Sequence, residues 1–512
     1  QASKPRRRAS SPPRAASGMP HESRALKAID GLLADVAAGS VDKKLSRYER
    51  MKRKVAAQGG AKVLVDFAFA RPIPPQPYLC QFVHQWLDFR LPELVAACEA
   101  TATTLTVDAA DAAALPSSTC CRVTLNDDWS ARRVAARSVL VKRFIEVWAS
   151  GDSWDEMVRA LAASPSQPGW AERAACIAEG TTFCVRVEAF GRHFSEAEAL
   201  EHIQKLEGVL PWRGRVRLKG PQHAFLILFE LDDAADGAAA APAAVRRVHF
   251  GRVVAAGAHK HFATHYSLKS RNYIGTTSLD AELGFLMANL GRVRRGHLVL
   301  DPFCGTAGCL VPAGHFGARV VGSDLFLPVL RGKVRSRSGP GSKEKNAAAQ
   351  GIGHTFAQYD LAPPVGLVHA DAHGGGGGGY LRRAPLFDAI LSDPPYGIRE
   401  KSAALDDAPL TDRTLGEAQV ADHIPRRAQA SLDLVLVDLF ALAARTLVVG
   451  GRLVFLLPCS LPISESLALM PPHPGLVLEE TCEQKMAARW SRWCVVMRRV
   501  DDGGDGGGSA AG

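Results

Sequence analysis

Between residues 297 and 458 the chain alternates short apolar runs with stretches of helical periodicity. The runs read "HLVLDPF", "ARVVGSD", "LVHAD", "FDAILSD" and "RLVFLLP". Short runs rich in Val, Ile and Leu, bounded by turn residues, suit strands buried on both faces of a parallel sheet. Strands that alternate with helices predict a doubly wound α/β sheet. Ligands in such sheets bind beyond the carboxyl ends of the strands. Four of the runs place an acid there: Asp301, Asp324, Asp371 and Asp393.

The first run continues as "LVLDPFCGTAGCL", a strand, an acid, a glycine-bearing turn and a helix. Gly305 and Gly308 let the backbone approach a ligand with no Cβ in the way. Asp301 can fix the loop or reach a cationic amine through water. Asp324, nineteen residues after Gly305, can accept hydrogen bonds from ribose hydroxyls. Asp371 can meet an adenine edge. One glycine pair is weak evidence, but three successive strands ending in acids are far stronger. The candidate cofactor residues are therefore Asp301, Phe303, Gly305, Thr306, Gly308, Asp324 and Asp371. The turn lacks G-x-G-x-x-G, which disfavours NAD, and no GK[ST] follows it, which excludes a P-loop.

After "FDAILS" the chain reads "DPPYGIRE". Two prolines lack N–H donors and fix φ, so the strand must end and turn rigidly. Asp393, Pro394, Pro395 and Tyr396 are the candidate catalytic residues. An exocyclic amine is a poor nucleophile, because its lone pair is conjugated into the ring. The Asp393 carboxylate and the Pro394 carbonyl can each accept a hydrogen bond from that NH₂ and turn the lone pair toward a methyl donor. Tyr396 can stack on a base that has left its helix. Taken alone these are common turn formers; after the cofactor pattern, chemistry is the better reading.

Net charge is +10, but the 14 Lys and Arg and 5 acids of residues 1–60 account for nine of those charges. The body is near neutral, so global charge does not by itself indicate a nucleic-acid binder. The opening "QASKPRRRASSPPRAASG" has no acid and is expected to be disordered, as a solvated tail, an organelle transit segment or a nuclear import signal. It starts at Gln1, so further residues are expected upstream. Residues 22–58 suggest two short helices. Eleven cysteines contain no C-x-x-C pair, so neither a zinc site nor a disulfide framework is expected; no metal site is assigned. No stretch reads as a membrane span.

Before residue 250 the pattern is also mixed α/β. "YLCQFV", "SVLVKRFIEVWASG", "FCVRVEAFG", "RVRLKG" and "AFLILFELDD" suggest strands, and "LPELVAACEA" and "SEAEALEHIQKLEGVL" suggest helices, the second capped by Ser195. Residues 277–280 are expected as a capping box before a helix whose Leu279, Leu283, Leu286, Met287 and Leu290 form one stripe. Residues 332–345 and 374–379 read as surface insertions.

"DPFCGTAG" followed by "DPPYG" resembles a class I S-adenosylmethionine-dependent methyltransferase acting on an exocyclic nitrogen. "YSLKSRNYIGTTSLDAELGFLMANL", "YLCQFVHQWLDFRLPELVAACEA" and "VRVEAFGRHFSEAEALEHIQKLEGVL" narrow the resemblance. Over about residues 78–500 the chain is similar to the catalytic subunit of the tRNA guanine N2-methyltransferase that modifies the guanosine at position ten. The resemblance implies a Rossmann-like class I methyltransferase domain at 260–500. It also implies a ferredoxin-like plus THUMP α/β RNA-binding region at 78–250, between a basic extension (1–77) and a Gly-rich tail (501–512). It implies S-adenosylmethionine as cofactor, tRNA as substrate, a small zinc-binding activator as heterodimer partner and a cytoplasmic location. Lys269, Arg271, Arg399, Arg489 and Arg492 are candidate RNA contacts, the last two in "RWSRW". The chain departs from the family at Thr276, where Pro is expected, and at Ala307, where a third glycine is expected. Ala307 is therefore expected to hold a negative φ. The competing functions are amino-methylation of another RNA or DNA base and a non-catalytic RNA-binding scaffold.

Overall fold

The computed structural model describes residues 75–115, 118–190, 192–231, 244–275, 278–334, 351–372, 384–395, 403–405, 427–429, 432–459, 463–487 and 490–501. The expectations for the basic extension, the insertions, the Gly-rich tail, Thr276, Thr277, Tyr396, Arg399 and Arg489 lie almost wholly outside them.

Strands β1 (Gln76–Phe82), β2 (Thr106–Val107), β3 (Cys120–Leu125), β4 (Val141–Gly151), β5 (Thr182–Ala189), β6 (Arg215–Val216), β7 (His223–Leu231) and β8 (Val245–Ala256) form one eight-stranded sheet, ordered β2-β3-β1-β4-β8-β7-β5-β6. The long strands β4 and β8 pair antiparallel along its middle. The modules expected before residue 250 are thereby fused into a single sheet. On the β5–β8 side, Trp148, Phe225 and Phe250 pack against helices Trp154–Ala162 and Glu196–Gln204. Ser195 caps the latter and its Glu198 reaches back to the cap backbone, as the Ser-x-x-Glu spacing requires.

The second sheet contains β9 (Leu298–Asp301), β10 (Arg319–Asp324), β11 (Gly366–His369), β12 (Phe387–Ser392), β15 (Leu447–Cys459), β16 (Leu476–Ala487) and β17 (Trp490–Arg499). A short antiparallel ribbon, β13 (Ala403–Leu405) with β14 (Arg427–Gln429), lies between β12 and β15 in the chain. The second sheet runs β11-β10-β9-β12-β15-β17-β16. β9, β10, β11, β12 and β15 are parallel, and β17 is antiparallel to both β15 and β16. This is the Rossmann-like sheet expected. The chain leaves β9 toward β10 and later returns on its other side as β12, so the switch point lies between β9 and β12. The hairpin β16–β17 was not foreseen: "RWSRW" suggests candidate RNA contacts and does not by itself mark the start of a strand.

Helix α1 (Arg90–Ala100) from the first part and α2 (Ala281–Leu290) from the second pack together in one apolar cluster that includes Phe89, Leu94, Phe285 and Leu286. The stripe expected on α2 is buried. Its N-cap is Asp280, which accepts from the Glu282 and Leu283 N–H groups, so the helix begins later than a cap at Thr277 would place it. A polar seam runs through the same interface. Buried Glu93 accepts from Ser138 Oγ (2.5 Å), Val139 N–H (2.6 Å), Leu140 N–H (3.2 Å) and Asn289 Nδ2 (2.7 Å). Arg137 closes the seam by donating to the Val293 carbonyl. The cofactor sheet and the first sheet thus meet through directional bonds as well as apolar contact.

Candidate functional site

Asp301 ends β9 and is 2% exposed. Its Oδ1 accepts from the Phe303 N–H (3.1 Å), which closes the turn that follows. Burial pushes its carboxyl well above the usual range, and the nearby Asp324 and Asp393 charges push the same way against the Phe303 bond. Three of the four acids therefore converge at one end of the sheet. Such a cluster favours a cationic ligand.

Asp324 ends β10. It accepts from the Gly305 N–H (2.8 Å) and from the Phe326 N–H (2.7 Å). It therefore holds the glycine turn in place at the carboxyl end of β10. Asp371 lies two residues past β11, half-buried. Gly305 has φ +47°, and a Cβ built there would meet nothing within 4 Å. Gly308 is confined instead: a Cβ there would sit 2.8 Å from Leu279 Cβ. Open space above Gly305, a left-handed turn and converging acids fit a cationic nucleoside cofactor.

The expectation for Ala307 is overturned. Its φ is +69°, so it stands in the left-handed conformation that a glycine would have supplied. Left-handed backbone costs a non-glycine residue about 1–2 kcal/mol. Ala307→Gly relieves that strain, but loses roughly 0.4–1 kcal/mol to unfolded-chain entropy and about 0.8 kcal/mol with the buried methyl group. These terms nearly cancel. We expect Ala307→Gly to change stability by less than about 1 kcal/mol in thermal unfolding; a larger loss would mean that the methyl packs in a way glycine cannot replace.

Asp393 follows β12 half-buried, Pro394 is buried and Pro395 half-buried. Of the candidate RNA contacts, Lys269 is exposed in the loop before α2. Arg492 is instead drawn inward: its Nη1 lies 3.9 Å from Asp393 Oδ2, and its Nε donates to Gln484 Oε1 (2.8 Å). A cation thus faces the carboxylate of the Pro-Pro turn. Arg271 is corrected outright. It is 4% exposed and donates to the Thr306 carbonyl, so it faces the cofactor turn and not solvent. Burial lowers its pKa to about 10, which leaves it charged at neutral pH.

Sequence reasoning missed two supports of this turn. Ser278 Oγ lies 3.0 Å from Thr306 Oγ1 and accepts from the Gly275 N–H (2.8 Å). Cys309 is buried against Asp301. Neither carries a motif signal, since each contact is set by the folded turn and not by local spacing.

On the first sheet, many cations are neutralised in place: Arg143 by Glu188 (3.0 Å), Arg252 by Glu146 (2.7 Å) and Asp128 (2.9 Å), Arg122 by Asp111 (2.8 Å). The β6 edge differs. Arg213, Arg215, Arg217 and Lys219 are exposed there, with no carboxylate partner among the described residues.

A family model described as the Tmrp11 THUMP N-terminal domain matches residues 76–259. The tRNA (guanine(10)-N(2))-methyltransferase TRMT11 of Homo sapiens is 32% identical over 373 residues, covering 72% of this chain and 77% of that protein. The Dictyostelium discoideum protein of the same name is 30% identical over 441 residues, covering 83% and 82%. Among solved structures, TrmN from Thermus thermophilus aligns with 83% of this chain and 100% of its own, at 19% identity and a TM-score of 0.39; the fold assignment rests on the sheet topology above. The chain belongs to the TRMT11 family of tRNA (guanine(10)-N(2))-methyltransferases.

Proposed function

We propose that this protein methylates the exocyclic N2 amine of the guanosine at position ten of tRNA, with S-adenosylmethionine as methyl donor. The observation that carries the proposal, given the family, is the placement of Asp393-Pro394-Pro395 beside Asp301 at the switch point of the sheet. Asp301, Gly305, Asp324 and Asp371 would hold the cofactor, which supplies an electrophilic methyl group on a cationic sulfur. Asp393 and the Pro394 carbonyl accept from the guanine NH₂ and aim its lone pair. The cofactor would supply the methyl group and keep the sulfur–methyl bonding pair on its own sulfur, and Asp393 or water would take the amine proton. Arg492, whose Nη1 lies 3.9 Å from Asp393 Oδ2, would hold that carboxylate in place toward the substrate. Tyr396 supplies the stacking face. The left-handed turn at Ala307 argues against a decayed, non-catalytic pocket.

The tRNA is held by the first sheet. We assign a phosphate contact to its β6 edge, where four cations have no acidic partner among the described residues. Arg215→Gln with Arg217→Gln should weaken tRNA binding and reduce the salt dependence of log K by about 1 per residue removed. Titration at several salt concentrations checks this; an unchanged slope would place the phosphates elsewhere. A small zinc-binding activator is the partner proposed. No described helix is long and apolar enough to cross a membrane; the compartment proposed is the cytoplasm.

The test is transfer of labelled methyl groups to a tRNA transcript by the chain co-expressed with its activator. Recovery of N2-methylguanosine from the digested tRNA supports the proposal. Label in any other nucleoside would overturn it.

A further inference from the structure

We infer that Arg271 is a positioning residue for the cofactor turn: it pins the Thr306–Ala307 peptide so that Ala307 stays left-handed. The inference rests on residues 304–308 being that turn. Both ends of this peptide unit are held. The Thr306 carbonyl accepts from Arg271 Nη2, and the Ala307 N–H donates to the Cys304 carbonyl (2.7 Å). Concerted rotation about Thr306 ψ and Ala307 φ would flip the peptide, return Ala307 to a negative φ and release the strain. It would also turn the Thr306 carbonyl away from Arg271 and reshape the cradle beside Gly305. A guanidinium gives a charge-assisted bond that resists this rotation better than a neutral donor.

The turn cannot relieve its strain by moving as a body. Gly308 is packed against Leu279, with no room for a Cβ, and Thr306 Oγ1 is tied to Ser278 Oγ (3.0 Å). Peptide rotation is the remaining freedom, and Arg271 blocks it. Arg271 is nearly fully buried, and its Nε has no partner among the described residues, so the Thr306 bond is the contact that occupies this cation. A buried cation with one strong acceptor is costly unless that acceptor matters to the fold or the site.

The test is a cycle of four full-length proteins: wild type, Arg271→Gln, Ala307→Gly and the double variant. Each is read by thermal unfolding without ligand, by calorimetric affinity for S-adenosylmethionine and by tRNA affinity. Arg271→Gln should weaken cofactor binding about tenfold, the scale of one strained backbone residue, with tRNA affinity within about twofold. In the Ala307→Gly background the same substitution should lose little, because glycine has no strain to escape. Arg271→Lys, which keeps a cationic donor, should recover part of the loss. Equal losses from Arg271→Gln in both backgrounds would overturn the inference, since a merely structural cation would not couple to residue 307. The ligand-free unfolding cycle decides the same coupling even if the wild type binds no cofactor, an outcome that would defeat the proposed function instead.

Discussion

Asp393→Ala should lower the rate of methyl transfer by about a thousandfold while leaving affinities for tRNA and cofactor within about threefold. The carboxylate's contribution is made where charge develops on the amine, and a group that acts there changes kcat more than KM. Asp393 is the first residue past β12, braced by Pro394 and Pro395 and faced by Arg492. Asp393→Asn keeps one acceptor oxygen but loses the charge, so it should fall between wild type and Ala. Single-turnover kinetics at saturating substrates checks the order. Parallel losses in binding and rate would make Asp393 a structural residue of the turn.

Glu93→Ala should cost roughly 3–5 kcal/mol of stability, the largest effect expected away from the site. It would leave the Ser138 hydroxyl, two backbone N–H groups and the Asn289 amide buried without their acceptor. Burial pushes the Glu93 carboxyl up, and the bonds from Ser138, Val139, Leu140 and Asn289 pull it back. Because Asn289 sits on the helix beneath the cofactor turn, the loss should loosen the joint between the two sheets as well as the first sheet itself. Denaturant unfolding of Glu93→Ala, Asn289→Ala and the double variant should show strong non-additivity. A cost below about 1 kcal/mol would mean that water replaces the missing oxygens.

Much of this was legible because parallel strands announce themselves. Each run buried on both faces is continuously apolar, and each acid at its end is a break in that run. Asp301, Asp324 and Asp393 are therefore placed at one edge by the sequence pattern alone. The edge cations of β6 were legible only as a strand, because neutralisation by partners is a property of the folded sheet. The hairpin β16–β17 was missed because its cations and tryptophans obscured the alternation of "LVLEETCEQ". Arg271 was misread for a related reason: an arginine in a loop is usually solvated, and its acceptor lies 35 residues away at the Thr306 carbonyl. Ala307 was misjudged by a rule that holds for free peptides, since surrounding bonds can hold an alanine where only glycine rests without strain. Fusion of the N-terminal modules into one sheet was likewise set by the pairing of β4 with β8, whose register no local pattern states.

The most direct measurement is methyl transfer to two tRNA transcripts that differ only at position ten, one with guanosine and one with inosine. Inosine lacks the exocyclic amine and nothing else. Label on the guanosine tRNA alone is the predicted result. Equal label on both would contradict the account, because the methyl group would then be going to another atom.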